Sequence, residues 1–319
     1  MPEGRLTSGW DDCSRGDWDT YLAACGKSSL EQSWAYGSAV AAVGGRRVQR
    51  GVIRCDGEPL AMVQAFVLRR FLPASLVQIL RGPLWLRGCN SEERRAAYRA
   101  IRDRFRWRRR ELLVWMPELP EAPESERLMR ATGCRRMVTG YSSLWLDLRQ
   151  DSAALRAALH GKWRNALRRS ENRGLRVRSG PGEARLDWLL ERHEAFRRKA
   201  GFVGPPAALV RAIAADAARE ELHVLGAYDD AADDRSEPLA GILLFGHGRS
   251  ATYYVGWTSA AGRRAQAHNL LLWRAIEALK ASGTQWLDLG GVDARHAPGV
   301  ARFKLGLGGK LFTLSGTYI

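Results

Sequence analysis

The sequence predicts an α+β protein built from two related halves, each a mixed sheet flanked by helices. Three observations predict it. Residues 51–69, GVIRCDGEPLAMVQAFVLR, alternate apolar and polar around Asp56-Gly57, the pattern of a β-hairpin. Residues 222–250 repeat the plan with LHVLGAY, a longer polar loop DDAADDRS, and EPLAGILLFGHG, so that both second strands open on EPLA, at Glu58 and at Glu237. Further on, an amphipathic helix carries Arg-Ala-Ile in each half, in YRAIRDRF from Tyr98 and WRAIEALK from Trp273, and leads into a strand, ELLVWMP or QWLDLGG. The two matches lie 179 and 175 residues apart (237 less 58, and 273 less 98) and come in the same order, as in diverged copies of one unit. Helix, antiparallel strands, helix and strand in succession imply helices layered on a mixed sheet. The halves are expected at 1–150 and 151–319.

Between the two strand sets a basic helix is expected from about Asp151, which caps it with Ser152 following. Leu155, Leu159, Trp163 and Leu167 recur every four residues and give it an apolar stripe, and Gly174 ends it. A second helix is expected over 186–199, stopping before AGFVGPP.

Composition narrows the function classes. With 319 residues, 45% of them apolar and twelve Trp, the chain holds ample material for packed cores, which excludes a disordered or fibrous protein. The opening residues MPEGRLTSGWDDC contain no apolar run, and no stretch approaches the roughly 18 apolar residues of a membrane helix. A soluble, cytoplasmic protein without integral membrane association is expected. The five cysteines are far apart, with no C-x-x-C pair, and His193-Glu194 lacks the second His of a zinc-protease motif; reduced thiols and no metal are expected. A net charge of +16 points to an anionic partner such as nucleic acid, nucleotide phosphates or a membrane surface, with an arginine-rich composition as the plain alternative.

The last sixty-nine residues are the richest: ATYYVGWTS, the helix AHNLLLWRAIEALKASG, the strand QWLDLGGVD, and GVARFKLGLGGKLFTLSGTYI. Their Y-x-G-x-T-S and L-G-G strand ends and G-V-x-x-F-K-x-G-x terminus resemble the Fem-type peptidoglycan bridge transferases and their relatives among acetyltransferase (GNAT)-like folds. Q-S-x-x-Y-G at Gln32, R-G-P at Arg81 and KWRNALRRSENRGLRV at Lys162 extend the resemblance over nearly the whole chain. It implies two tandem GNAT-like domains, an aminoacyl-tRNA donor bound mainly by the second, and an amine-bearing peptide or small-molecule acceptor on the side of the first. It also implies that no cofactor is needed.

In that family the Phe-Lys pair near the C-terminus lies at the donor site and helps the developing oxyanion; here the pair is Phe303-Lys304, with Arg302 beside it. The chemistry is sensible, because aminolysis of an ester passes through a tetrahedral oxyanion that a fixed ammonium stabilises as charge forms. Tyr254 and Trp257 are expected to offer aromatic faces to the terminal adenine. Strand alternation sends Tyr253 and Tyr254 to opposite faces, and Tyr254 is taken as the one that reaches the site. Asp293, after the L-G-G end, is a candidate base that equally well caps a loop. Two basic clusters read as a phosphate footprint or as solvated faces: 94–110, with nine Arg against one Asp, and 162–178, with seven basic residues against one Glu. In the second, Lys162, Arg164 and Arg168 are assigned to tRNA, the two arginines one turn apart.

On the acceptor side the resemblance selects Tyr36, Arg81 and Trp85. Bridge-forming members often carry Lys near the end of the first motif and Asp after R-G-P, where this chain has Val40 and Leu86. That departure argues against a nucleotide-linked peptidoglycan precursor and for a small peptide or metabolite amine. Acyl-CoA is the competing donor. Its pyrophosphate turn, R-x-x-G-x-G/A, falls on GRRAQAHN at 262–269, where Gln266 or Ala267 stands for the first Gly. A catalytically idle RNA- or lipid-binding module is the reading from another class.

Overall fold

A computed structural model describes residues 5–69, 74–180, 183–201, 204–231, 233 and 236–319. The polar loop expected at 229–236 and the AGFVGPP segment lie partly outside the described residues. The chain divides into two compact units, the first made of 1–142, 247–249 and 312–319, the second of 143–246 and 250–311.

The first unit contains β1 (Leu6–Trp10), α1 (Arg15–Ala24), α2 (Trp34–Gly44), β2 (Arg47–Cys55), β3 (Glu58–Arg69), β4 (Ser75–Leu80), β5 (Leu84–Trp85), α3 (Ser91–Arg104), β6 (Glu111–Met116), α4 (Pro123–Ala131) and β7 (Arg136–Val138). The anticipated hairpin is β2–β3, antiparallel and closed by Asp56-Gly57, both at positive φ. From Leu60 to Val67 β3 is buried at every position, as a strand covered on both faces must be. Asn90 caps α3 through a reciprocal box with Glu93, and the helix lays Ala97, Tyr98 and Ile101 on the sheet core with Trp115 and Phe105.

Next come β8 (Ser142–Asp147), α5 (Ser152–Ala158), α6 (Gly161–Glu171), β9 (Arg176–Ser179), α7 (Glu183–Ala200), α8 (Ala207–Asp216), β10 (Leu222–Tyr228), β11 (Ala240–His247), β12 (Ser250–Thr258), α9 (Ala260–Arg264), α10 (Ala267–Ala281), β13 (Trp286–Gly291), α11 (Pro298–Leu305), β14 (Lys310–Thr313) and β15 (Thr317–Tyr318). Nine residues of α10, among them Leu270, Leu271, Trp273 and Ile276, are buried, so its apolar surface extends well beyond one stripe.

The sheets run β1-β2-β3-β4-β6-β15-β7, with β5 paired to β3, and β14-β8-β13-β12-β11-β10-β9. In the first, α3 crosses over between the parallel pair β4 and β6; in the second, α10 crosses over between the parallel pair β12 and β13. The internal repeat is therefore a repeat of topology. Where the first sheet inserts β15, the second inserts β8. Residues 143–147 of β8 thus belong to the second unit although they precede the boundary expected at 150, and Phe312–Ile319 return to the first.

Two local expectations change. The basic helix is two helices: Asp151 caps α5 by accepting from the Ala154 N–H, but the helix stops at Leu159, and the His160 N–H bonds Gly306 O instead of continuing the ladder. All four stripe residues are nonetheless buried, because the break keeps them on one side. In the second half, β11 starts at Ala240 and not at Glu237. Pro238 has no N–H to give to a ladder, and Glu237 faces outward onto Arg192.

Candidate active site

The second unit gathers seven side chains from five elements. Helix α11 begins with Pro298, which needs no N–H partner in the first turn, and carries Arg302, Phe303 and Lys304. Lys304 is only 8% exposed, on a helix, and its Nζ donates to Gly291 O at the end of β13, 2.7 Å away. Burial pulls the amine down to about 8, opposed by the nearby Asp288 carboxylate. Asp288 is wholly buried; it accepts from the Ser143 hydroxyl and from the Gly290 N–H at 2.8 Å, so the countercharge is fixed in place.

Phe303 lies between two rings, 5.8 Å from Trp163 of α6 and 5.3 Å from His268 of α10. His268 Nε2 meets Tyr253 Oη of β12 at 2.9 Å, and its Nδ1 meets Thr258 Oγ1 at 2.7 Å. The Lys304 ammonium sits 5.8 Å from the centre of the Tyr253 ring. Burial, with the Lys304 charge adding to it, pushes the His268 imidazole down to about 4, so it is neutral at physiological pH; burial also raises the Tyr253 phenol. Gly256 makes the pair possible. A Cβ there would lie 1.9 Å from Tyr253 Oη and 2.7 Å from His268 Cε1.

Of the residues selected from sequence, Phe303 and Lys304 meet here, joined by Trp163, which the apolar stripe had marked only as core. Tyr254 does not. Its ring packs on Phe245 at 5.4 Å, and it is its neighbour Tyr253 that lies beside Lys304. The alternation was sound, but nothing in YY says which face the helix carrying Lys304 covers. Trp257 stands edge-on to Trp188 at 5.5 Å with Arg192 over it. Asp293 is exposed and closes a turn: it accepts from the Arg295 and His296 N–H groups, both at 2.9 Å, and pairs with His296 Nδ1 at 2.7 Å. Those bonds hold its carboxyl below the usual range, which makes it a weak base. Arg302, Lys162 and Arg168 are exposed. Arg164 is exposed too, yet its Nη2 donates to Ala157 O and Leu159 O at 3.0 and 2.9 Å, closing the end of α5.

In the first unit, Arg81 is 2% exposed and its guanidinium is forked onto Glu118 at 2.8 and 3.0 Å, with Glu31 at 4.0 Å. It is a buried ion pair rather than an open anion site. Tyr36 packs edge-on against Phe66 at 5.9 Å, and Trp85 lies between Tyr98 and the Arg94 guanidinium. Of the cysteines, all five are unpaired thiols, three of them buried.

The turn before α10 keeps an unexpected feature. Gln266 adopts φ 57°, ψ 29°, the left-handed conformation that a glycine supplies more easily. The turn that opens this helix thus holds a non-glycine residue in that conformation.

Residues 157–305 match the family model for the acetyltransferase (GNAT) domain, and no curated protein matches the chain in sequence. A crystal structure of FemX superposes with a TM-score of 0.82 at 14% identity, covering 97% of this chain and 96% of that one. The chain has a Fem-type, GNAT-like fold. The C-terminal domain of a putative lysylphosphatidylglycerol synthetase from Agrobacterium fabrum gives 0.55 at 12% identity, covering 96% and 91%. A tandem GNAT protein from the clavulanic acid biosynthesis pathway gives 0.53 at 15%, covering 98% of each chain. At these identities the likeness is one of fold. Within it, the cluster around Lys304 lies in the segment that matches the acetyltransferase (GNAT) domain. No helix among the described residues is long and apolar enough to cross a membrane.

Proposed function

We propose that this chain is an aminoacyltransferase that takes an amino acid from aminoacyl-tRNA and joins it, through an amide bond, to an amine of a peptide or small metabolite. The observation that carries this reading is Lys304: a single ammonium, stripped of most of its water, fixed on Gly291 O and bordered by Tyr253, His268 and Phe303. An uncharged acceptor amine attacks the ester carbonyl, and the ammonium meets the oxyanion in a medium where one charge counts for far more than in water. A lysine titrating at about 8 is mostly charged at neutral pH, as this role requires. The FemX-like architecture over the whole chain and the likeness to a lysylphosphatidylglycerol synthetase domain support an aminoacyl donor.

Val40 and Leu86, where bridge-forming relatives carry charged residues, support an acceptor other than a nucleotide-linked muropeptide. A second reading, an acyl-CoA-dependent N-acyltransferase, is favoured by one observation: Gln266 keeps the turn before α10 in the left-handed form. Equilibrium binding separates the two. Affinity for tRNA should fall steeply with salt, because phosphate contacts release counterions. Negligible tRNA binding at low salt beside tight CoA binding would establish the second reading.

A further inference from the structure

The geometry points to a proton relay, Thr258–His268–Tyr253, that delivers a proton to the alcohol leaving from the donor ester. This inference rests on the aminoacyl-ester reading above. Three observations carry it. The imidazole of His268 is bonded at both nitrogens, to Thr258 Oγ1 at 2.7 Å and to Tyr253 Oη at 2.9 Å, so a neutral ring accepts at one side and donates at the other. The Lys304 ammonium lies over the Tyr253 ring, with Nζ 5.8 Å from its centre, so phenol and ammonium belong to one cluster. Thr258, at the far end, is only half-buried, and the bare Gly256 leaves the phenol room against the imidazole.

The step balances without an added reagent. When the tetrahedral intermediate collapses, the bond from carbon to the ribose oxygen breaks and its electron pair stays on oxygen. Tyr253 gives that oxygen its hydroxyl proton and takes the Nε2 proton of His268. His268 takes the Thr258 proton at Nδ1, and Thr258 is refilled from water. The nitrogen of the new amide gives one proton to water, so a single proton passes in net from nitrogen to the leaving oxygen. An ammonium at Lys304 stabilises the oxyanion but does not serve both ends of the collapse, and a ribose alkoxide is too basic to leave unprotonated. Tyr253 is the group that touches substrate here; His268 and Thr258 act through it.

The test compares wild type with Tyr253→Phe, Thr258→Val and Thr258→Ser on two donors: an aminoacyl-tRNA, and the same tRNA bearing its amino acid on a 3′-thiol in place of the 3′-hydroxyl. With the ester, Tyr253→Phe should lower kcat by roughly a hundredfold, the scale of lost general acid catalysis, with KM little changed. Thr258→Val should fall in the same direction and Thr258→Ser should recover. With the thiol ester, whose leaving group needs no proton, Tyr253→Phe should regain most of the wild-type rate. Wild-type turnover of the ester with Tyr253→Phe unaffected would overturn the relay and spare the donor reading, as would equal losses on both donors, which mean mere support of the fold. A wild-type protein that consumes no aminoacyl ester would overturn the donor reading and, with no alkoxide to protonate, the relay as well.

Discussion

Burial of the Lys304 ammonium, which its chemistry requires, costs stability. Unfolded, its amine titrates at 10.5; folded, at about 8. Between those values the unfolded chain holds the extra proton, so stability rises with pH across the window, and the full cost of burying the charge is present below about 8. At neutral pH that cost is roughly 3 kcal/mol. Lys304→Met should therefore raise resistance to urea at neutral pH, with the advantage shrinking as pH approaches that of the free amine, while turnover drops about a hundredfold. Lys304→Arg should rescue turnover only in part, since a planar guanidinium does not set one compact charge where the ammonium stood. A loss of both stability and turnover in Lys304→Met would assign the lysine to packing instead.

Phe303-Lys304 was legible because the motif sits at a telling distance from the C-terminus. Asp288 and His268 were not, although the strand QWLDLGG and the helix AHNLLLW were. An acid inside an apolar strand and a histidine near a helix start look alike whether they hold a lysine, relay a proton or fill the core; only the three-dimensional neighbours decide.

At the scale of elements, glycines and helix ends do the positioning. Gly256 leaves the room in which Tyr253 reaches His268, so Gly256→Ala must push one of them away. Turnover should fall about tenfold or more while the circular dichroism spectrum stays unchanged; unaltered turnover would show that the phenol–imidazole contact is idle. The break between α5 and α6 was not legible, because an i, i+4 stripe continues through it: Leu159 and Trp163 fall on one side in either case. What stops the ladder is a partner remote in sequence, Gly306 O, which takes the His160 N–H at 2.9 Å. Arg164 then closes the exposed carbonyls of α5. Arg164→Ala should cost roughly 1 kcal/mol in urea unfolding, and if the residue also touches phosphate it should flatten the salt dependence of tRNA binding by about one charge. No effect on unfolding would mean that water replaces the cap without loss.

For the molecule as a whole, the repeat was readable because hairpin, crossover helix and parallel strand each left a pattern in both halves. The assignment of single strands to units was not. Strand β8 lies within the first half expected from sequence yet pairs with β13, and β15 at the far end pairs with β6 and β7, since a short apolar strand carries no mark of which sheet will take it. Tyr318 of β15 is 1% exposed within the first unit. Deleting Phe312–Ile319 should therefore unfold that unit specifically, read as rapid proteolysis within residues 5–142, with the second unit surviving longer; uniform resistance would show that β15 is dispensable.

Single-turnover transfer shows whether Lys304 and its neighbours move an aminoacyl group from tRNA. Radiolabelled aminoacyl-tRNA at saturation is mixed with excess protein and a set of peptide and small-molecule amines, and the label is followed from ester to amide in wild type and in Lys304→Met. Wild type should form the amide rapidly, and the variant at a rate about a hundredfold lower at undiminished donor saturation. Equal rates in the two proteins, or label that stays on tRNA while acyl-CoA is consumed, would contradict that role.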